Sequence, residues 1–126
     1  MRLFANSLCK ARKITSELPK ASNERELRAA IQGHWKQVDA NTAIKLSGTK
    51  LVIESQETNR TVDLDYPAEV FGQGQLLLHC TGKQYPRDKP SKTEPVSVSY
   101  QCFFDGERLC FIETSSRDQF VFDKID

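Results

Sequence analysis

The chain has 126 residues, of which 38% are hydrophobic and 28% charged, with a net charge of +1. One domain of this size can build a core without metals or disulfides, and the composition excludes a wholly disordered chain. Apolar runs such as Leu76-Leu77-Leu78 are far too short for a membrane-spanning helix.

Charge is unevenly placed. Residues 1–20 hold Arg2, Lys10, Arg12, Lys13 and Lys20 against Glu17, so the basic character is confined to this segment. The rest of the chain carries a slight acidic excess, which excludes a basic nucleic-acid-binding body. Leu3, Phe4, Leu8, Ala11, Ile14 and Leu18 recur at helical spacing, with the basic residues on the other side. Pro19 stops the pattern. This predicts a basic amphipathic helix over residues 2–18. Such a helix suits an anionic membrane surface, a mitochondrial-type targeting segment, or docking on its own domain or on a partner.

Residues 3–9, "LFANSLC", are interrupted by Asn6 and Ser7 and do not make a secretory apolar core. Four cysteines (Cys9, Cys80, Cys102 and Cys110) without such a signal point to reduced thiols inside a cell. The expectation is a cytoplasmic protein, or a mitochondrial one if residues 1–20 act in targeting.

A short helix is expected over residues 24–32. Asn23 and Glu26 form a capping box, Leu27, Ala30 and Ile31 supply an apolar side, and Gly33 ends it. From there the period changes to two. Trp35 and Val38 begin a strand. Residues 43–55 read as strands broken near Ser47-Gly48, with a turn at residues 56–59. Val62, Leu64 and Tyr66 then alternate with Thr61, Asp63 and Asp65. Residues 69–82 give further strands with a bend at Gly72 and Gly74.

Residues 82–95 hold three prolines and several basic residues and read as a long exposed loop. Val96, Val98, Tyr100, Cys102 and Phe104 then alternate with Ser97, Ser99, Gln101 and Phe103 up to a hairpin signal at Asp105-Gly106. Leu109 and Phe111 return, residues 115–118 turn, and residues 119–125 finish. The sum is mainly β. It is an antiparallel meander of seven or eight strands that closes into a barrel, with residues 1–20 as a separate helix and residues 21–126 as one barrel domain.

Candidate chemistry is sparse. His79 and Cys80 are adjacent, so on a strand they face opposite ways and form no dyad. A three-residue loop at Asp105 would set Cys102 opposite Cys110, and a two-residue Asp105-Gly106 loop would set it opposite Leu109; the register decides whether a thiol pair exists. No zinc spacing, phosphate loop or nucleophile–base set is seen, so no catalytic residue, metal or cofactor is assigned. A third reading, a hydrolase or isomerase, would use His79 or His34.

The short helix leading into Gly33-x-Trp35, followed by the meander and the closing "DQFVFDKID", resembles the lipocalin and wider calycin group over residues 24–126. The resemblance implies that Trp35 plugs the closed end of the barrel and that a basic residue, Arg117 or Lys124, packs on it. It departs from the group at Leu64-Asp65-Tyr66, the nearest match to a motif that lies near a late hairpin there. The resemblance implies a non-enzymatic barrel for a small apolar ligand. The expected lining is Trp35, Phe71, Tyr100, Phe104, Phe111 and Phe120, with Phe122 nearby; the same set also reads as ordinary core. The alternative is a protein-interaction module or homodimer with a filled barrel. It would use Phe4, Leu8 and Arg12 of the first helix together with Tyr85 and Arg87.

Overall fold

A computed structural model describes residues 24–70 and 75–125. The expected helix over residues 2–18, with Phe4, Leu8 and Arg12, lies outside these residues, as do Phe71, Gly72 and Gly74. The short helix α1 (Glu24–Ala30) buries Leu27, and Ile31 just beyond it is buried too, whereas Ala30 faces solvent. Its last turn tightens, with Gln32 N–H donating to the Ala29 carbonyl at 3.2 Å. Gly33 then takes φ 123°, a conformation that side chains disfavour.

The strands are β1 (Gly33–Gln37), β2 (Thr42–Ser47), β3 (Lys50–Ser55), β4 (Arg60–Asp65), β5 (Ala68–Val70), β6 (Gln75–Pro86), β7 (Glu94–Asp105), β8 (Arg108–Glu113) and β9 (Gln119–Lys124). Neighbours in sequence pair antiparallel, and β4 also pairs with β6. β9 returns to β1 through Trp35↔Lys124 and Gln37↔Phe122. The ring is therefore closed. β4 and β5 meet β6 in one continuous register, Asp65↔Thr81 and Ala68↔Leu78, so they form one barrel wall broken at Tyr66-Pro67. Proline lacks an N–H, which accounts for a break in the ladder there. The result is an eight-stranded antiparallel meander barrel with no free edge along most of its length.

The expected loop over residues 82–95 is corrected to residues 87–93. β6 runs on to Pro86 and β7 begins at Glu94, with Lys83↔Pro95 and Gln84↔Glu94 paired. The polar, proline-bearing composition hid two strand ends, because prolines are tolerated where ladder pairing stops. Gly82 belongs to this corrected strand. A Cβ there would lie 2.0 Å from the Asp63 carbonyl oxygen, so β4 and β6 approach so closely that only glycine fits.

The β7–β8 loop has the shorter of the two expected lengths but sits one residue later, so the register differs from both of those expected. Asp105 pairs with Arg108, so the loop is Gly106-Glu107, with Gly106 at φ 64° in a two-residue, glycine-first turn. Cys102 faces Phe111 and Cys110 faces Phe103. One thiol points inward and the other belongs to the small outer cluster with Phe103 and Val121. No thiol pair forms between them.

Alternation places Trp35, Ile44, Leu46, Leu51, Ile53, Val62, Leu64, Leu76, Leu78, Cys80, Tyr100, Cys102, Leu109, Phe111, Phe120 and Phe122 in one buried cluster inside the ring. The pairings climb as they go round. From Trp35 they lead through Ile44, Ile53, Val62 and Gln84 to Glu94, near the start of β7. From Gln37 they lead the other way, through Phe122 and Leu109, to Phe104, near the end of β7. This stagger tilts the strands and gives the barrel two unlike ends.

Candidate functional site

One end is sealed by α1. Trp35 is 2% exposed, and its indole N–H donates to the Ile31 carbonyl at 2.9 Å. Its ring lies 5.9 Å from that of Phe104. The Lys124 ammonium sits 4.8 Å from the Trp35 ring centroid and donates to the Gln32 carbonyl at 2.8 Å. Lys124, not Arg117, is therefore the basic residue on the tryptophan. A Cβ on Gly33 would lie 2.8 Å from the Lys124 ammonium nitrogen. Gly33 thus does more than end a helix: it makes room for the lysine that caps the indole.

The middle of the barrel is filled. Tyr100, Phe104, Phe111, Phe120 and Phe122 all point inward, none more than 9% exposed. Tyr100–Phe111 and Phe111–Phe122 ring centroids are each 5.2 Å apart. Burial raises the Cys80 thiol to about 12 and holds Cys102 well above its ordinary range. Burial raises Tyr100 too, with Cys80 and Glu113 adding to it. These groups stay neutral and behave as core. His79 faces out and Cys80 in, as alternation requires.

The other end is polar. Gln37, Thr42, Ser55, Gln84 and Glu113 are buried there. Arg60 sits inward at the start of β4, with one guanidinium nitrogen 3.9 Å from the Glu94 carboxylate. Arg60 Nη1 and Glu113 Oε2 are buried without a hydrogen-bond partner among the described residues. The other Glu113 oxygen accepts from the Ser115 hydroxyl at 3.0 Å.

Glu113 ends β8, facing Tyr100 on β7. Beyond this point the two strands part. Thr114 N–H still donates to the Ser99 carbonyl at 3.0 Å, and Arg117 N–H donates to the Glu113 carbonyl at 2.8 Å. Residues 94–98 of β7 pair only with β6 among the described strands. A depression of about 300 Å3 opens in the gap, between Val96, Ser97, Val98 and Ser99 on one side and Glu113 and Ser115 on the other. Val96 and Val98 belong to the inner face of β7 and Ser97 and Ser99 to the outer, so the depression crosses the strand edge.

A second depression, of about 360 Å3, shares Ser99 and Thr114 with the first. Leu77, His79, Gln101 and Arg117 complete it. Within it a His79 ring nitrogen lies 3.2 Å from the Ser99 hydroxyl, a cross-strand pair on the solvent side. His34 lines a separate depression with Lys45 and Glu54, so the two histidines do not meet. Among the described residues no cluster of His, Cys, Asp or Glu could hold a metal ion. Tyr85 is half-buried at the end of β6 opposite Thr61, and Arg87 is exposed just after it.

Arg60 and Glu113 were legible by register alone. Each extends an inward alternation by one step, Arg60 before Val62 and Leu64, and Glu113 after Leu109 and Phe111. A charged residue in such a position is the signal. Comparison with protein-family models, curated proteins and solved structures finds no match.

Proposed function

We propose that the protein is a non-enzymatic barrel that takes a small ligand at its polar end, in the gap between β7 and the β8–β9 turn. The observation that carries this is the pair of joined depressions meeting at Ser99 and Thr114. Their walls mix valine side chains with hydroxyls, the composition of a small-molecule site. The aromatic residues expected to line a cavity are engaged with one another, which favours a polar mouth over an apolar interior cavity. Gly33, Trp35 and Lys124 keep the resemblance to the lipocalin group as the reading of the barrel's origin.

The test is native mass spectrometry of protein purified from its own source, beside Ser99→Trp, which fills both depressions. A bound small molecule lost in the variant is the expected result. Retention of that molecule by Ser99→Trp would refute the placement, and backbone-amide NMR shifts at Trp35, Phe104 and Phe111 would restore the apolar-cavity reading.

A protein-interaction module is the second reading. It is supported by residues 87–93, which present Arg87, Lys89 and Lys92 to solvent beside Tyr85. Capture of one defined partner that Tyr85→Ala with Arg87→Ala releases, with no small molecule bound, would favour it.

A further inference from the structure

We infer that the ligand is a cationic amine and that the Glu113 carboxylate is its recognition group. This rests on the small-ligand reading above and deepens it.

A buried carboxylate is stable when it is paired with a cation or receives several hydrogen bonds. Glu113 is 6% exposed and has neither among the described residues. One oxygen accepts from Ser115, and Oε2 has no partner among the described residues. No lysine, arginine or histidine lines the first depression. None of the described residues lining the depression supplies the missing cation, and the depression is the route by which a ligand's cation reaches the carboxylate.

The surrounding groups narrow the cation. A metal ion requires several oxygen, nitrogen or sulfur ligands, and among the described residues Glu113 belongs to no group of three or more acidic, cysteine or histidine side chains that could hold one. Val96 and Val98 offer apolar contact to a short hydrocarbon arm. The hydroxyls of Ser97, Ser99 and Ser115, which line the depression, can accept the further N–H donors of an ammonium group. About 300 Å3 admits a single ring or a short chain. The structure therefore suits a primary amine carried on a small apolar arm.

The probes are phenethylamine, its neutral counterpart 2-phenylethanol, and the anion 3-phenylpropionate, each titrated into the full chain and followed by amide NMR. The amine is expected to shift Ser97, Val98, Glu113, Thr114 and Ser115. It should bind at least about tenfold more tightly than the alcohol, the advantage of a charge-assisted bond over a neutral one, and the anion should not bind. Glu113→Gln keeps the shape and removes the charge; it should bring the amine down to the affinity of the alcohol.

Equal binding of amine and alcohol by the unaltered protein, both shifting the same amides, would overturn charge recognition while leaving the ligand site standing. That comparison needs no variant, so it holds even if Glu113→Gln fails to fold. Undiminished amine binding by a folded Glu113→Gln would overturn it equally. Failure of all three probes to shift these amides would overturn both the amine assignment and the site.

Discussion

Trp35→Phe isolates the seal at the helix end. The change removes the indole donor to the Ile31 carbonyl, a buried 2.9 Å bond. Leaving a buried carbonyl without its donor costs about 1–3 kcal/mol. The smaller ring also gives up packing against Phe104 and beneath Lys124, about 1 kcal/mol more. The total is about 2–4 kcal/mol, which in a domain of this size lowers the melting temperature by roughly 6–15 °C. Because Trp35 is the sole tryptophan, the assay is urea unfolding followed by far-UV circular dichroism, with an unchanged slope and a lower midpoint. A second arm combines it with Lys124→Met. The ring–ammonium contact predicts a coupling of about 0.5–1 kcal/mol between the two changes. A cost for Trp35→Phe below about 1 kcal/mol would refute the hydrogen-bond argument, and strict additivity would refute the lysine cap.

Three further outcomes follow from the fold. Gly82→Ala should cost at least about 3 kcal/mol or prevent folding, since its Cβ would strike the β4 backbone; a native-like denaturation midpoint would show that β4 and β6 are not so close. In a Cys9→Ser background, Cys80, Cys102 and Cys110, all buried, should react with a thiol reagent only as the protein opens, and rapid stoichiometric reaction in native buffer would contradict the packing. Stability should fall in alkali. Cys80 is raised from 9.0 to about 12, so the unfolded chain loses that proton first and the stabilisation present below pH 9.0 drains away as pH rises toward 12. Tyr66 and Tyr100, both raised from 10.0 by burial, act in the same direction. The urea midpoint should be lower at about pH 10.5 than at about pH 8, with a shallower fall in Cys80→Val; an unchanged midpoint would refute the buried-thiol account.

Much of the fold is legible in the sequence because strand alternation is local. Val62, Leu64 and Tyr66 against Asp63 and Asp65, or Val98, Tyr100 and Cys102 against Ser99 and Gln101, declare their inward face without reference to any partner strand. The helix before Gly33 is legible for the same reason, in Leu27 and Ile31. Composition misleads where it disagrees with alternation. Residues 82–86 and 94–95 carry loop-like prolines and charges, yet they continue two strands. Glu113 and Arg60 are the reverse case. Each sits on the inward register, so its direction is legible, but a lone charged residue beside an apolar series does not show what it will meet.

The sequence by itself determined which residues turn inward, since a period of two is a property of a single strand. Only the tertiary structure decided what those residues meet. The β7–β8 turn at Gly106-Glu107 sets Cys102 on Phe111 rather than on another thiol. Closure of β9 on β1, the last and first strands of the barrel, brings Lys124 onto Trp35. The stagger accumulated around the ring puts Glu113 at an open end, beside the stretch of β7 that β8 no longer covers. Each of these depends on pairings summed over several strands, and no local stretch of sequence contains that sum.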